Sequence, residues 1–273
     1  MSYSTPGVKL RGTQMAGEAY GSWTRNLAAW ATAVALPFAI LMAVTYGIWQ
    51  ILISEGVEAY AQQEQAGSGL RDAASTLVQI IIYTLFAVAW HRFLVLQEKP
   101  KVIPTIGSQH VRFILWTLGL TLLMAIPAAV VFGLVAMLSG AAQSPLASLL
   151  ILPAIGLVIY LVARVSVLFP AVACQEPLGL VAAWRMTRGN GLAIVLAVVL
   201  ASIPIILIAM LLSVLLFGNL AQVAQSGTVV SEEQLTEAFL SIYWMGSLVG
   251  AVISFIGSTV AVGIASSAYR QLR

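Results

Sequence analysis

Six stretches of this 273-residue chain are long and apolar enough to cross a lipid bilayer, and nothing else in the sequence restricts the fold as strongly. A hydrocarbon core of about 30 Å takes around 20 apolar residues in a helix. The candidate spans are approximately 27–53, 74–96, 111–138, 146–171, 191–217 and 239–266. Inside lipid, backbone N–H and C=O groups have to be bonded within their own segment or around a closed barrel. The short alternating strands of a barrel are absent, so the fold is predicted to be all-α and polytopic. Composition agrees, with 60% of residues apolar and 8% charged, roughly a third of the charged share of soluble domains.

Charge sets the orientation. Lys9, Arg11, Arg25, Arg92, Lys99, Lys101, Arg112, Arg164, Arg185, Arg188, Arg270 and Arg273 fall on one side of the six spans, and Arg71 alone on the other. Glu55, Glu58, Glu64, Asp72, Glu232, Glu233 and Glu237 lie with Arg71. The positive-inside rule then predicts a multi-pass membrane protein with both termini in the cytoplasm. The net charge of +3 reads as a membrane-orientation signal, with no nucleic-acid partner implied. Residues 1–26 are polar and mixed, which argues against a cleaved signal peptide. They are predicted to form a cytoplasmic and interfacial segment ahead of a single transmembrane domain over 27–273.

Landmarks recur three times along that domain. Ala35-Leu36-Pro37, Ala125-Ile126-Pro127 and Ser202-Ile203-Pro204 each follow a basic residue, namely Arg25, Arg112 and Arg188. The partner helices end in Arg92, Arg164 and Arg270. This suggests three tandem hairpins, about 27–96, 111–171 and 191–266, with Pro37, Pro127 and Pro204 as kinks near mid-membrane. The outer connections near 54–73 and 218–238 read as long acidic loops, with a helix start at Ser231 to Gln234; Ser139 to Pro145 reads as a tight turn. Met15, Ala19, Tyr20 and Trp23 share a helical face, and Pro177 to Thr187 carries Val181, Trp184 and Met186. Both segments are predicted to be short amphipathic helices at headgroup level. Asn26 and Asn190 follow as N-caps of the next spans.

The stretch Arg164-Val-Ser-Val-Leu-Phe-Pro170-Ala-Val-Ala-Cys-Gln-Glu176, with Ala182-Ala183-Trp184-Arg185-Met186-Thr187-Arg188-Gly189-Asn190, resembles a known pattern. It is similar to the bacterial YciC-like family and to the membrane domain ahead of some glycerophosphodiester phosphodiesterases. The resemblance implies a polytopic inner-membrane domain. Any hydrolase activity would come from a separate protein, since the other residues leave no room for a phosphodiesterase domain.

Chemistry-bearing residues are sparse. His91 and His110 sit at the cytoplasmic edge in no metal-protease spacing, no span has a carboxylate near its middle, and Cys174 is the single cysteine. Gly67-Ser68-Gly69 lacks the lysine of a phosphate loop. Neither an enzyme nor a metal or other cofactor is expected. Arg92, Arg164 and Arg270 would meet if the hairpins share an axis, which suits an anionic lipid headgroup, or they are three separate orientation charges. Gly246, Gly250, Ser254 and Ser258 form a small-residue stripe for internal packing or for a homodimer or another membrane protein. The expected role is a non-catalytic lipid-interacting or scaffold module in envelope or lipid maintenance. The alternatives are a transporter or channel for a small or amphiphilic solute and an accessory subunit of a larger membrane complex. On a Cys174→Ser background, cysteines placed near residues 60 and 230 should label from outside intact cells; labelling that needs permeabilisation would invert the topology.

Overall fold

The computed structural model describes residues 8–55, 57–142, 151–225 and 232–273. Their regular elements are all helices: α1 (Gly12–Thr24), α2 (Leu27–Glu55), α3 (Val57–Leu96), α4 (Ser108–Ala142), α5 (Ile151–Val165), α6 (Leu168–Ala173), α7 (Leu180–Met186), α8 (Gly191–Gln225) and α9 (Glu232–Leu272). Six segments are long and apolar enough to span a membrane: Leu27–Ser54, Ala73–Leu96, Ser108–Gly133, Leu152–Ala173, Gly191–Leu216 and Ile242–Leu272. The chain is an all-helical, multi-pass membrane protein.

The helix ends depart from expectation. The acidic stretch around 54–73 is not a loop, because α2 runs to Glu55 and α3 starts at Val57. With 40 residues, α3 is about 60 Å long, twice the hydrocarbon thickness. Its first turns are rich in Ala, Gln and Glu, good helix formers whose polarity matters only inside lipid. The stretch around 218–238 is also largely helical, with α8 reaching Gln225 and α9 starting at Glu232. Ser231 and the end of the Ser139 to Pro145 turn lie outside the described residues. The fourth span breaks between Val165 and Leu168. Pro170 has no N–H for the Ser166 carbonyl, which accepts the Phe169 N–H instead at 3.2 Å.

Each hairpin packs arm on arm, α2 on α3, α4 on α5 and α8 on α9, and the hairpins join through α3–α4, α5–α8 and α9–α2. Buried residues gather at the end that holds both α1 and the close of α9, here called the basic end. Toward the opposite end α4 exposes Leu122, Ile126, Val130 and Met137, and α8 exposes Ile203, Leu207, Leu211 and Val214. Lipid tails are as apolar as these side chains, so no hydrophobic force draws such surfaces together.

Small residues and polar locks hold the basic end. The apolar face of α1, read from the sequence as a headgroup-level face, packs inside the protein: Met15, Ala16 and Ala19 are buried and α1 lies on α8 and α9. A Cβ on Gly12 would stand 2.8 Å from the Ala193 carbonyl oxygen, and one on Gly263 would stand 2.9 Å from the Ala19 Cβ. Tyr20 donates its hydroxyl to the Ala201 carbonyl at 2.7 Å, and Ser267 donates to the Glu18 carboxylate at 2.6 Å. The two asparagines expected as N-caps do stand directly before α2 and α8, where their carbonyls accept the Trp30 N–H at 2.9 Å and the Ile194 N–H at 3.1 Å, but their side chains reach elsewhere. Asn190 accepts the Leu10 N–H at 2.9 Å and donates to the Val8 carbonyl at 3.0 Å, strapping the residues before α1 to the start of α8. Asn26 donates back to the Ser22 carbonyl at 2.7 Å and closes the end of α1. Gly263→Val should therefore lift α1 off α9 at a cost of about 1–3 kcal/mol. The check is a lower unfolding temperature in detergent together with new protease cleavage within residues 8–24.

Candidate ligand pocket

Three helices each present one face to a common space. On α3 the face is Thr76, Gln79, Ile80 and Tyr83; on α9 it is Ser247, Ala251, Ser254, Phe255 and Ser258; α2 adds Leu41 and Thr45. These spacings of three, four and seven keep each set on one side of its helix. The space between them is a pocket of about 590 Å³. Ser247 lies near the end of the span Ile242–Leu272 opposite the basic end and Ser258 near its middle. Eleven residues of helix put about 16 Å between them, so the pocket reaches mid-membrane depth.

Aromatic clusters join the same helices at two levels. Phe255 meets Phe38 with centroids 6.1 Å apart and Phe86 at 5.7 Å, one ring from each helix, forming the floor. Nearer the opposite end Tyr46, Trp49 and Trp244 form a triangle with centroids 5.8–6.1 Å apart. Thr76, Gln79 and Ser254 are exposed, so the pocket is open at its side. Among the described residues, the hydroxyls of Thr45, Thr76, Tyr83, Ser247, Ser254 and Ser258 and the amide of Gln79 make no hydrogen bond. The Trp49 Nε1 in the triangle is buried and likewise has no partner. Each unpaired polar group away from water costs about 1–3 kcal/mol. Among the described residues the lining contains no carboxylate, amine or imidazole.

The small-residue stripe belongs partly to this pocket. Ser254 and Ser258 line it, Gly246 is half-buried, and Gly250 is exposed with nothing within 4 Å of an added Cβ. The close helix approach on α9 occurs at Gly263 instead. Pro37, Pro127 and Pro204 all sit inside continuous helices, where each removes one backbone bond. Pro37 is buried beside the floor residue Phe38, whereas Pro127 is half-buried and Pro204 exposed.

The three arginines lie on separate seams of the basic end. Arg164, at the end of α5, is 7% exposed. Its Nε donates to Thr187 at 2.9 Å, its two terminal nitrogens donate to the Tyr160 hydroxyl and the Trp184 carbonyl, and its guanidinium lies 3.9 Å from the Trp184 ring centroid. A Cβ on Gly191 would stand 2.5 Å from the Arg164 Cδ, so the glycine makes room for it. Gly189, at φ +79°, gives the connecting turn a conformation that side chains disfavour. Arg92 donates to Glu98 at 2.8 Å and to the Ala173 carbonyl at 3.0 Å. Arg270 donates to the Leu94 carbonyl at 3.2 Å and stands 3.9 Å from Glu18. The three guanidinium groups thus bind the fold itself, each through its own partners. Nearby, Glu176 accepts from Tyr269 and pairs with Arg273 at 3.0 Å. Burial, then the Glu176 charge, push the Cys174 thiol up to about 11, which keeps it protonated at neutral pH.

Gln79, Thr76, Thr45 and Tyr83 escaped the sequence reading, which searched the spans for ionisable groups. Gln79 carried the available signal, as an amide inside an otherwise apolar span. No family model matches the chain, and neither the curated proteins nor the solved structures contain a match. Arg164→Gln should cost on the order of 3 kcal/mol by breaking charged hydrogen bonds. Thermal unfolding followed by tryptophan fluorescence would show the loss, and Arg164→Lys should recover only part of it.

Proposed function

We propose that this chain is a non-catalytic inner-membrane protein that holds a neutral amphiphile between α2, α3 and α9. One observation carries the reading: seven polar side chains without partners face an open pocket at membrane depth. A guest with hydroxyl, ester or amide groups in its head would bond them, while its tail would leave between bare apolar helix surfaces. Nucleophilic chemistry needs a base beside a hydroxyl, and the described residues of the lining offer none. A cytoplasmic placement of the basic end follows from the positive-inside rule. The likeness of residues 164–190 to the YciC-like family supports the inner-membrane placement, and the apolar spans with their basic edges support a role in envelope or lipid maintenance. That segment makes one interlocked unit, with Arg164 seated on Trp184 and Thr187.

A passage for a small amphiphilic solute is the second reading, favoured by the pocket's reach to mid-membrane. Phe38, Phe86 and Phe255 would then be its gate. The test is native mass spectrometry of the detergent-purified protein with added monoacylglycerol. Wild type should retain it, whereas Gln79→Leu combined with Ser254→Val should lower retention about tenfold or more, since each lost hydrogen bond contributes about 0.5–1.5 kcal/mol. Equal retention at an unchanged unfolding temperature would refute the pocket assignment, and accelerated flux of the same probe through Phe255→Ala liposomes would establish the passage.

A further inference from the structure

The turn between α3 and α4, residues 97–107, is the least lipid-like and least water-like segment at the basic end. Ile103 is 77% exposed and Ile106 71%, with Val102 exposed beside them. In water these would be three bare aliphatic side chains on one short turn, an arrangement that marks a contact surface. Lys99 and Lys101 flank them, and among the described residues neither has an ion partner. Apolar side chains interleaved with unpaired lysines match the boundary between acyl chains and anionic headgroups.

A pocket of about 250 Å³ opens behind this turn, lined by Lys99, Lys101, Thr105, Gln109 and His110 together with Arg92 and Glu98. Glu98 neutralises Arg92, so the two lysines carry the pocket's net charge. His110 is 5% exposed, and its Nδ1 accepts the Gly107 N–H at 3.2 Å. That bond leaves Nε2 as the ring's donor. Gln109 accepts from Gln175 through Oε1, which leaves its own amide N–H groups without a bond among the described residues. Below the turn, Val111 and Leu115 are exposed one helical turn apart on α4 and begin an apolar stripe that continues to Leu122 and Ile126.

We infer that this turn and the start of α4 form a docking site for one anionic phospholipid of the leaflet at the basic end. The phosphate sits between Lys99 and Lys101 against the His110 donor, Val102, Ile103 and Ile106 enter the acyl layer, and the chains follow the Val111–Leu115 stripe. This site is separate from the neutral pocket in chemistry and in position, and it does not depend on that assignment. It also differs from a shared arginine site, because its charge comes from lysines that the fold leaves unpaired.

The experiment uses the full chain in nanodiscs of phosphatidylglycerol and phosphatidylcholine, released into mild detergent and weighed by native mass spectrometry. Wild type should retain phosphatidylglycerol over phosphatidylcholine. Lys99→Gln with Lys101→Gln should lower that retention by roughly tenfold or more, the effect of two cations near an anionic surface. Ile103→Ser with Ile106→Ser should lower retention of both lipids, and Arg185→Gln, a cation outside the turn, should leave it unchanged. Lys99, Lys101, Ile103 and Ile106 are all exposed in the turn, so the unfolding temperature of their variants should stay within experimental error. Undiminished phosphatidylglycerol retention in the lysine variant would overturn the inference. So would displacement of the lipid by an equal concentration of glycerol phosphate, which would identify a soluble phosphate site, or capture of an acidic protein at the turn in place of lipid.

Discussion

A helix in lipid has already satisfied its own backbone, so forming six spans says nothing about where they touch. Contact has to come from close packing and from polar side chains that find partners across a seam. Here both are concentrated at one end. Gly12 and Gly263 admit α1, Trp30 donates to Thr259 at 2.6 Å, and the buried His91 Nδ1 meets Ser266 at 2.8 Å. The opposite halves of α4 and α8 instead expose large aliphatic side chains. The pocket between α2, α3 and α9 lies where these two regimes meet, which explains how it combines an ordered aromatic floor with an open side.

The spans were legible because length and hydropathy act within one segment. So was the common end of the termini, since twelve cations could be sorted without knowing a single contact. The helical extensions of α3 and α8 were less so, because polar Ala- and Gln-rich sequence outside lipid suits a loop and a helix alike. The same limit hid the side chains of Asn26 and Asn190: both stand before their helices as read, and only the packing of α1 shows what their amides reach. Among site residues, Ser254 and Ser258 drew notice as small residues, yet their neighbours across the pocket are Thr76, Gln79 and Tyr83 on another helix. Facing relationships of that kind have no sequence period.

The arginines show how one pattern can hold two causes. Arg92, Arg164 and Arg270 close three helices at equivalent places, as orientation by charge requires. Yet each guanidinium also donates to a backbone carbonyl on a different element: Ala173, Trp184 and Leu94. A planar group with five donors can mark an end of the membrane and join two segments at once. Lysines lack that geometry, and Lys99 and Lys101 stay free of such duties.

The docking of α1 has an implication for biogenesis. Its partners lie far along the chain: Leu10 bonds Asn190, 180 residues later, and Glu18 bonds Ser267, 249 residues later. Made before its partners, α1 therefore has nowhere to settle until α8 and α9 have entered the bilayer. An undocked α1, with its buried Met15, Ala16 and Ala19 laid bare, would be the mark of an unfinished molecule.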